Sequence, residues 1–177
     1  WHMNRIEHFT LLATYNQWMN RKVYAAAGRL SDADLRMDRH AFFGSIFGTL
    51  NHLILGDTVW LKRFAEHPAD YPALAPLSSV ALPPDLKQLA FADLHELSAR
   101  RAWLDQMIID WAHSLTESDL DQRLHYHNMR GVGAHKPFAS LIVHFFNHQT
   151  HHRGQVTTLL TQAGQDVGDT DLLALID

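Results

Sequence analysis

Four histidines crowd one short run, His144-Phe145-Phe146-Asn147-His148-Gln149-Thr150-His151-His152-Arg153-Gly154-Gln155. Histidine is the commonest metal ligand and the usual acid–base group near neutral pH. The apolar positions Phe138, Leu141, Ile142 and Phe145 upstream, and Val156, Leu159, Leu160 and Ala163 downstream, repeat three and four apart. Continuing that period across the gap lands on His148 and His152, where Leu or Phe would be expected. A pair four apart shares one helical face and can share one metal ion. Buried without partners, two imidazoles would each cost about 1–3 kcal/mol in unmet polar nitrogens. A metal bond backed by a hydrogen bond on the far ring nitrogen removes that cost. Spacing alone does not fix the pair: His144 continues the face one turn upstream, and His151 lies beside it on a polar strip with Asn147, Gln155 and Thr158.

A site open for chemistry needs a third ligand from elsewhere. His52, among Thr49, Leu55, Gly56 and Val59, is set in small or apolar surroundings that turn its ring toward another helix. Such a residue serves equally as a hydrogen-bonded core histidine. Asp57 is read as a partner behind the site or as an ion pair with Arg63. His125 and His127 flank Tyr126 in an irregular stretch that could pass the site mouth, where a proton-transfer role is open to them. Arg153 and Gln155 are read as anchoring the helix to a neighbour or fixing a ligand ring, and His8, His67, His95 and His113 have no convergent partner.

The elements that must position these residues are helical. Asn4 caps a first long helix reaching about Ala27, and Ser31-Asp32 caps a short turn. Ser45 caps a second long helix to about Phe64. The five prolines between His67 and Pro84 predict a long surface loop. A third long helix begins between Asp85 and Phe91 and ends at Ser114. A short helix over 117–120 and an extended piece over 124–127 follow. Pro137 opens the fourth, which Gly164 stops. The tail 171–176 reads as one apolar turn. Four amphipathic helices without a convincing strand pattern predict an all-α fold, a four-helix bundle whose long links need not give a simple up-and-down order.

Composition narrows the chemistry. The chain has 177 residues, 14 histidines and no cysteine, with Lys plus Arg 15 against Asp plus Glu 19 and a net charge of -4. That length suits one domain, expected over residues 3–177. Without cysteine there is no disulfide scaffold, cysteine zinc finger, iron–sulfur cluster or cysteine nucleophile. Mild acidity and the lack of a basic stripe argue against nucleic acid, and no apolar run suits a membrane span. Trp1-His2 before Met3 reads as a leader left by cloning, and with no signal pattern a cytoplasmic location is expected.

Two blocks carry a family resemblance. Gly44-Ser45-Ile46-Phe47-Gly48-Thr49-Leu50-Asn51-His52, with Asp57 and Trp60-Leu61-Lys62-Arg63-Phe64, resembles the second-helix signature of the DinB family. His144 to Gln155 resembles its fourth-helix signature, and Leu160 to Gly164 with Gly168-Asp169-Thr170-Asp171 its C-terminal pattern. The resemblance to these DinB/YfiT-like proteins implies a helical bundle holding a divalent metal, zinc or nickel foremost, through His52, His148 and His152. It implies a small-molecule partner, foremost a low-molecular-weight thiol in an S-transferase or isomerase reaction. A metal-dependent hydrolase and a non-catalytic metal-binding stress-response module are the alternatives, and no His-Glu-x-x-His arrangement supports a protease. A fourth protein ligand, with His144 the candidate by spacing, would close the site. A homodimer is expected from the family and from the abundance of Trp and Phe.

Overall fold

The computed structural model describes residues 4–176, so the expected leader Trp1-His2 lies outside the described residues. The fold is all-α with one small hairpin. Helix α1 (Arg5–Ala27) starts at a capping box: Asn4 Oδ1 accepts from Glu7 N at 2.8 Å, and Asn4 N donates to the Glu7 carboxylate at 3.0 Å. Ser31 caps α2 (Asp32–Arg36), and Ser45 Oγ accepts from Gly48 N at 2.9 Å to start α3 (Ile46–Phe64). Gly48 must be glycine, because a Cβ there would collide with the Phe43 carbonyl oxygen in the turn that enters α3. Helices α4 (Leu94–Ser114), α5 (Glu117–Leu120) and α6 (Phe138–Gln162) complete the set. Among the described residues no helix is long and apolar enough to cross a membrane.

In their main contacts the four long helices close a ring, α1 packing on α4 and α6, and α3 packing on the same two. Chain-successive α1 and α3 therefore sit diagonally, as do α4 and α6, so the order is not up-and-down. At one end of the ring Phe64, Trp111, Phe138 and Phe145 form an aromatic core, with Phe64 stacked on Trp111 at 5.0 Å.

Three expectations need correction. The proline-rich stretch is not simply a surface loop: Pro72–Ser79 forms a 3-10 helix that buries Leu74 and Leu77. The extended piece is a true strand, β1 (Arg123–His127), paired antiparallel with β2 (Gly133–Pro137), where His125 stacks on His135 at 3.7 Å. The third long helix begins at Leu94 under an Asp93 cap, three residues beyond the expected range. The tail forms its 3-10 turn, Leu172–Leu175, but Leu173 and Ile176 remain exposed.

Candidate metal centre

Helices α3 and α6 pack directly, and their contact brings His52 against His148 and His152 although about a hundred residues separate them in sequence. His52 Nε2 lies 3.1 Å from His148 Nε2 and 3.2 Å from His152 Nε2. Each residue offers one ligand atom, and all three atoms fall within 4.8 Å of one another. His52 is buried, His152 is 9% exposed and His148 is half-buried.

The far ring nitrogens decide what these contacts mean. His52 Nδ1 is 3.1 Å from the Leu86 carbonyl oxygen, which can only accept, so that nitrogen carries the proton. His152 Nδ1 is likewise committed to Gln155 Oε1 at 2.7 Å. Both Nε2 atoms are then bare lone pairs facing each other. A proton on His148 Nε2 could serve one of them and would leave the other without a hydrogen. A cation resolves the conflict. Metal–nitrogen bonds of about 2.0–2.1 Å set neighbouring ligand nitrogens about 2.9–3.4 Å apart in octahedral to tetrahedral geometry. The observed separations lie inside that interval, so the donor set fits a divalent ion.

Proton affinity agrees with this. Burial pushes His52 down to about 4, partly offset by the Leu86 carbonyl and reinforced by His152. Burial and the neighbouring histidines push His148 down to about 3. His152 is also lowered, by burial first, with Gln155 opposing. All three rings are neutral near pH 7, the state that binds metal.

Several supporting residues escape sequence reasoning. Gly56, one turn beyond His52 on α3, makes room for the His148 ring: a Cβ there would stand 2.9 Å from His148 Cε1. Phe43 stacks on His52 at 3.8 Å and meets His152 edge-on at 5.4 Å. Asn51 Oδ1 accepts from Ala90 N at 2.9 Å, so Asn51 and His52 together pin both ends of the 86–90 loop over α3. A three-and-four period cannot show these, because they depend on how α3 meets α6 and how the loops fold back.

Other expected roles divide. Gln155 fixes the His152 ring, and Arg153 anchors α6 to α1 through Asn16. Gln149, not His148, marks the centre of the buried stripe of α6, and His148 stands at its margin. Asp57 does not pair with Arg63. It is fully buried and binds Arg101 at 2.7 Å. His144 stays outside the cluster, its ring edge-on to Trp60 at 5.0 Å, and His151 is exposed. Among the described residues, no fourth protein ligand joins the three histidines. His125 and His127 do not reach the cluster either. His127 instead borders a cavity of about 910 Å³ farther along α3, which Val59, Lys62 and Arg63 also line.

Behind the histidines, facing the bundle interior, lies a second polar cluster. Arg101 bridges Asp57 and Asp105, the latter at 2.9 Å, and Asp105 accepts from Asn20 at 2.9 Å and Asn16 at 3.0 Å. Burial alone would lower the Arg101 pKa, yet Asp105 and Asp57 outweigh it and raise it. Burial raises both carboxyls, opposed chiefly by Arg101, and pushes Arg153 down to about 10.

Comparison with known proteins agrees with this architecture. The chain is 26% identical over 161 residues to Protein DinB of Bacillus subtilis (strain 168), covering 90% of this chain and 88% of that protein. It is 33% identical over 69 residues to the uncharacterized protein YrdA of the same organism, covering 39% of this chain and 36% of that protein. No solved structure gives a significant match. The family model described as the DinB family matches residues 3–177, and the chain belongs to the DinB family.

Proposed function

We propose that His52, His148 and His152 hold one divalent ion, zinc or nickel, and that the protein is an enzyme acting on a small-molecule thiol. The observation that carries this reading is the facing of Nε2 lone pairs whose opposite ring nitrogens are already committed to Leu86 and Gln155. When bound there, the ion would keep its full positive charge and acidify a coordinated thiol or water.

The protein's own residues shape what can follow. Three neutral donors and no fourth protein ligand among the described residues leave room for an external group. Phe43 covers one side and limits water, while Gln155 and the Leu86 carbonyl hold the ring angles. Among the described residues no carboxylate joins the three histidines, and the nearby Asp57 is spent on Arg101. Either group would be acidified at the ion, water to a pKa of about 7 and a thiol further. A bound thiol would then be fully ionised near neutral pH, whereas hydrolysis would gain from a positioned carboxylate that the site lacks among the described residues. This favours S-transfer or isomerisation over a hydrolase. A non-catalytic module is the remaining reading. A cytoplasmic homodimer is part of the proposal, and sedimentation giving only a 20.2 kDa species would remove the dimer.

Elemental analysis tests the metal. About one equivalent is expected in the parent and little in His148→Ala, with both variants folded by circular dichroism. Adding mercaptoethanol to the cobalt-loaded protein should then produce a sulfur-to-cobalt charge-transfer band. Metal without that band would sink the thiol reading, and equal, negligible metal in both would sink the whole proposal.

A further inference from the structure

The large cavity does not touch the histidines, yet it lies on the same face of α3. His52, Gly56, Val59 and Arg63 follow one another at four, three and four residues, a single helical stripe. His52 and the end of the cavity at Arg63 are therefore roughly 16 Å apart along the helix. The 82–86 segment binds the two places together, since Leu82 and Pro84 wall the cavity and the Leu86 carbonyl holds His52.

The cavity contains two basic side chains in different states. Lys62 is spent on structure, its Nζ donating to the Leu77 and Val80 carbonyls at 2.7 and 2.6 Å. The Arg63 guanidinium makes neither a hydrogen bond nor an ion pair among the described residues. Its guanidinium lies over the Trp60 ring at 4.5 Å and the Tyr126 ring at 5.0 Å. Stacking occupies the flat face of the group and leaves the N–H donors at its edge available. Burial disfavours the charge on this half-buried group, opposed by Tyr126 and Glu66, and an anion at its free edge would favour the charge further. The rest of the wall is largely apolar, with Val59, Leu74, Leu77 and Leu82. Glu66 and Asp70 also border the cavity; both are exposed, and Glu66 already favours the Arg63 charge.

We propose that Arg63 and this cavity bind the carboxylate end of an elongated aliphatic substrate whose reactive end lies at the three histidines. The inference rests on the reading of those histidines as the reactive centre, and it names the class of molecule they serve. The apolar wall takes the chain, Arg63 takes the carboxylate, and the α3 stripe sets the distance between the two ends.

Octanoate is the probe, with octanamide as its uncharged isostere, each titrated by calorimetry into the metal-loaded protein and into His148→Ala. Octanoate should bind about ten- to a hundredfold more tightly than octanamide, the worth of one charge-assisted hydrogen-bonded contact. Arg63→Met should abolish that preference without changing octanamide affinity, and Arg63→Lys should restore part of it. Persistence of the preference in His148→Ala separates binding at Arg63 from carboxylate coordination to the ion. If the parent binds no metal but keeps the preference, the metal reading falls and this subsite stands. Equal affinity for the two probes in the parent, no octanoate binding, or an Arg63→Met variant that keeps the preference would each overturn the proposal.

Discussion

Two polar clusters lie back to back, one between α3 and α6 and one in the interior where α1, α3, α4 and α6 meet, and on α3 and α6 a shift of one residue separates them. Gly56 borders the histidine cluster and Asp57 the charged network; His152 belongs to the first and Arg153 to the second. Both place polar groups where helices normally bury hydrocarbon. Their charge accounting is opposite. In the network two cations balance two carboxylates and Asn16 and Asn20 supply hydrogens to Asp105, although Asp57 Oδ1 and Arg101 Nη2 keep no hydrogen-bond partner. At the histidines, like atoms face like atoms and the protein supplies no hydrogen between His52 and His152. A polar residue in a core position is therefore not in itself a sign of a ligand. The sign is a convergence of like lone pairs at metal-bonding separations, each on a ring whose far nitrogen is already held.

The largest test of this contrast is Arg101→Met, which strands Asp57 and Asp105 without their cation. Breaking a buried pair on one side should destabilise the protein by about 3–5 kcal/mol. Urea unfolding of the metal-free protein measures it, and a loss below about 1 kcal/mol would mean that the two carboxylates do not depend on Arg101. Gly56→Ala should move the two regions in opposite directions. The added methyl must displace the His148 ring, so metal affinity should fall on the order of 100-fold, the upper range for lost ring support. The same change should leave thermal stability unchanged or raise it by up to about 1 kcal/mol through helix propensity. Competition titration against a chelating dye reads the first and melting the second; unchanged affinity would refute the close approach.

Gln155→Ala removes the acceptor that fixes the His152 ring and should weaken metal binding by about tenfold, with the network and the fold unaffected. The smallest effect is that of pH. The folded-state pKa values of His52 and His148 lie below the ordinary histidine value, at about 4 and about 3. The unfolded chain therefore takes up protons first as pH falls through about 6.5, and the metal-free protein should lose stability progressively from there toward pH 4. A melting temperature that rose over that interval would contradict the neutral, buried rings.

The helices were legible because their boundaries are local. Asn4, Ser31 and Ser45 cap as read, and the period of α6 pointed to His152 and, less directly, to His148. What stayed hidden depends on pairing between distant elements. Asp57 and Arg63 stand six residues apart and so on different faces of α3, which rules out the ion pair that their proximity in sequence suggested. The true partner, Arg101, lies on another helix and carries no periodic signal. An extrapolation of the stripe through histidines alone misses Gln149, and the Leu86 carbonyl is a backbone group with no mark in the sequence at all.

The diagonal placement of α1 and α3 bears on how the molecule comes together in time. His52 and His148 can meet only after the chain between them has closed a very long loop, whereas His148 and His152 need a single turn of helix. An ion added to the unfolded chain meets at most the local pair and gains little there. Its full grip comes only after α3 and α6 have docked, late in assembly. Such a ligand slows escape from the native state far more than it hastens arrival, acting as a latch on unfolding.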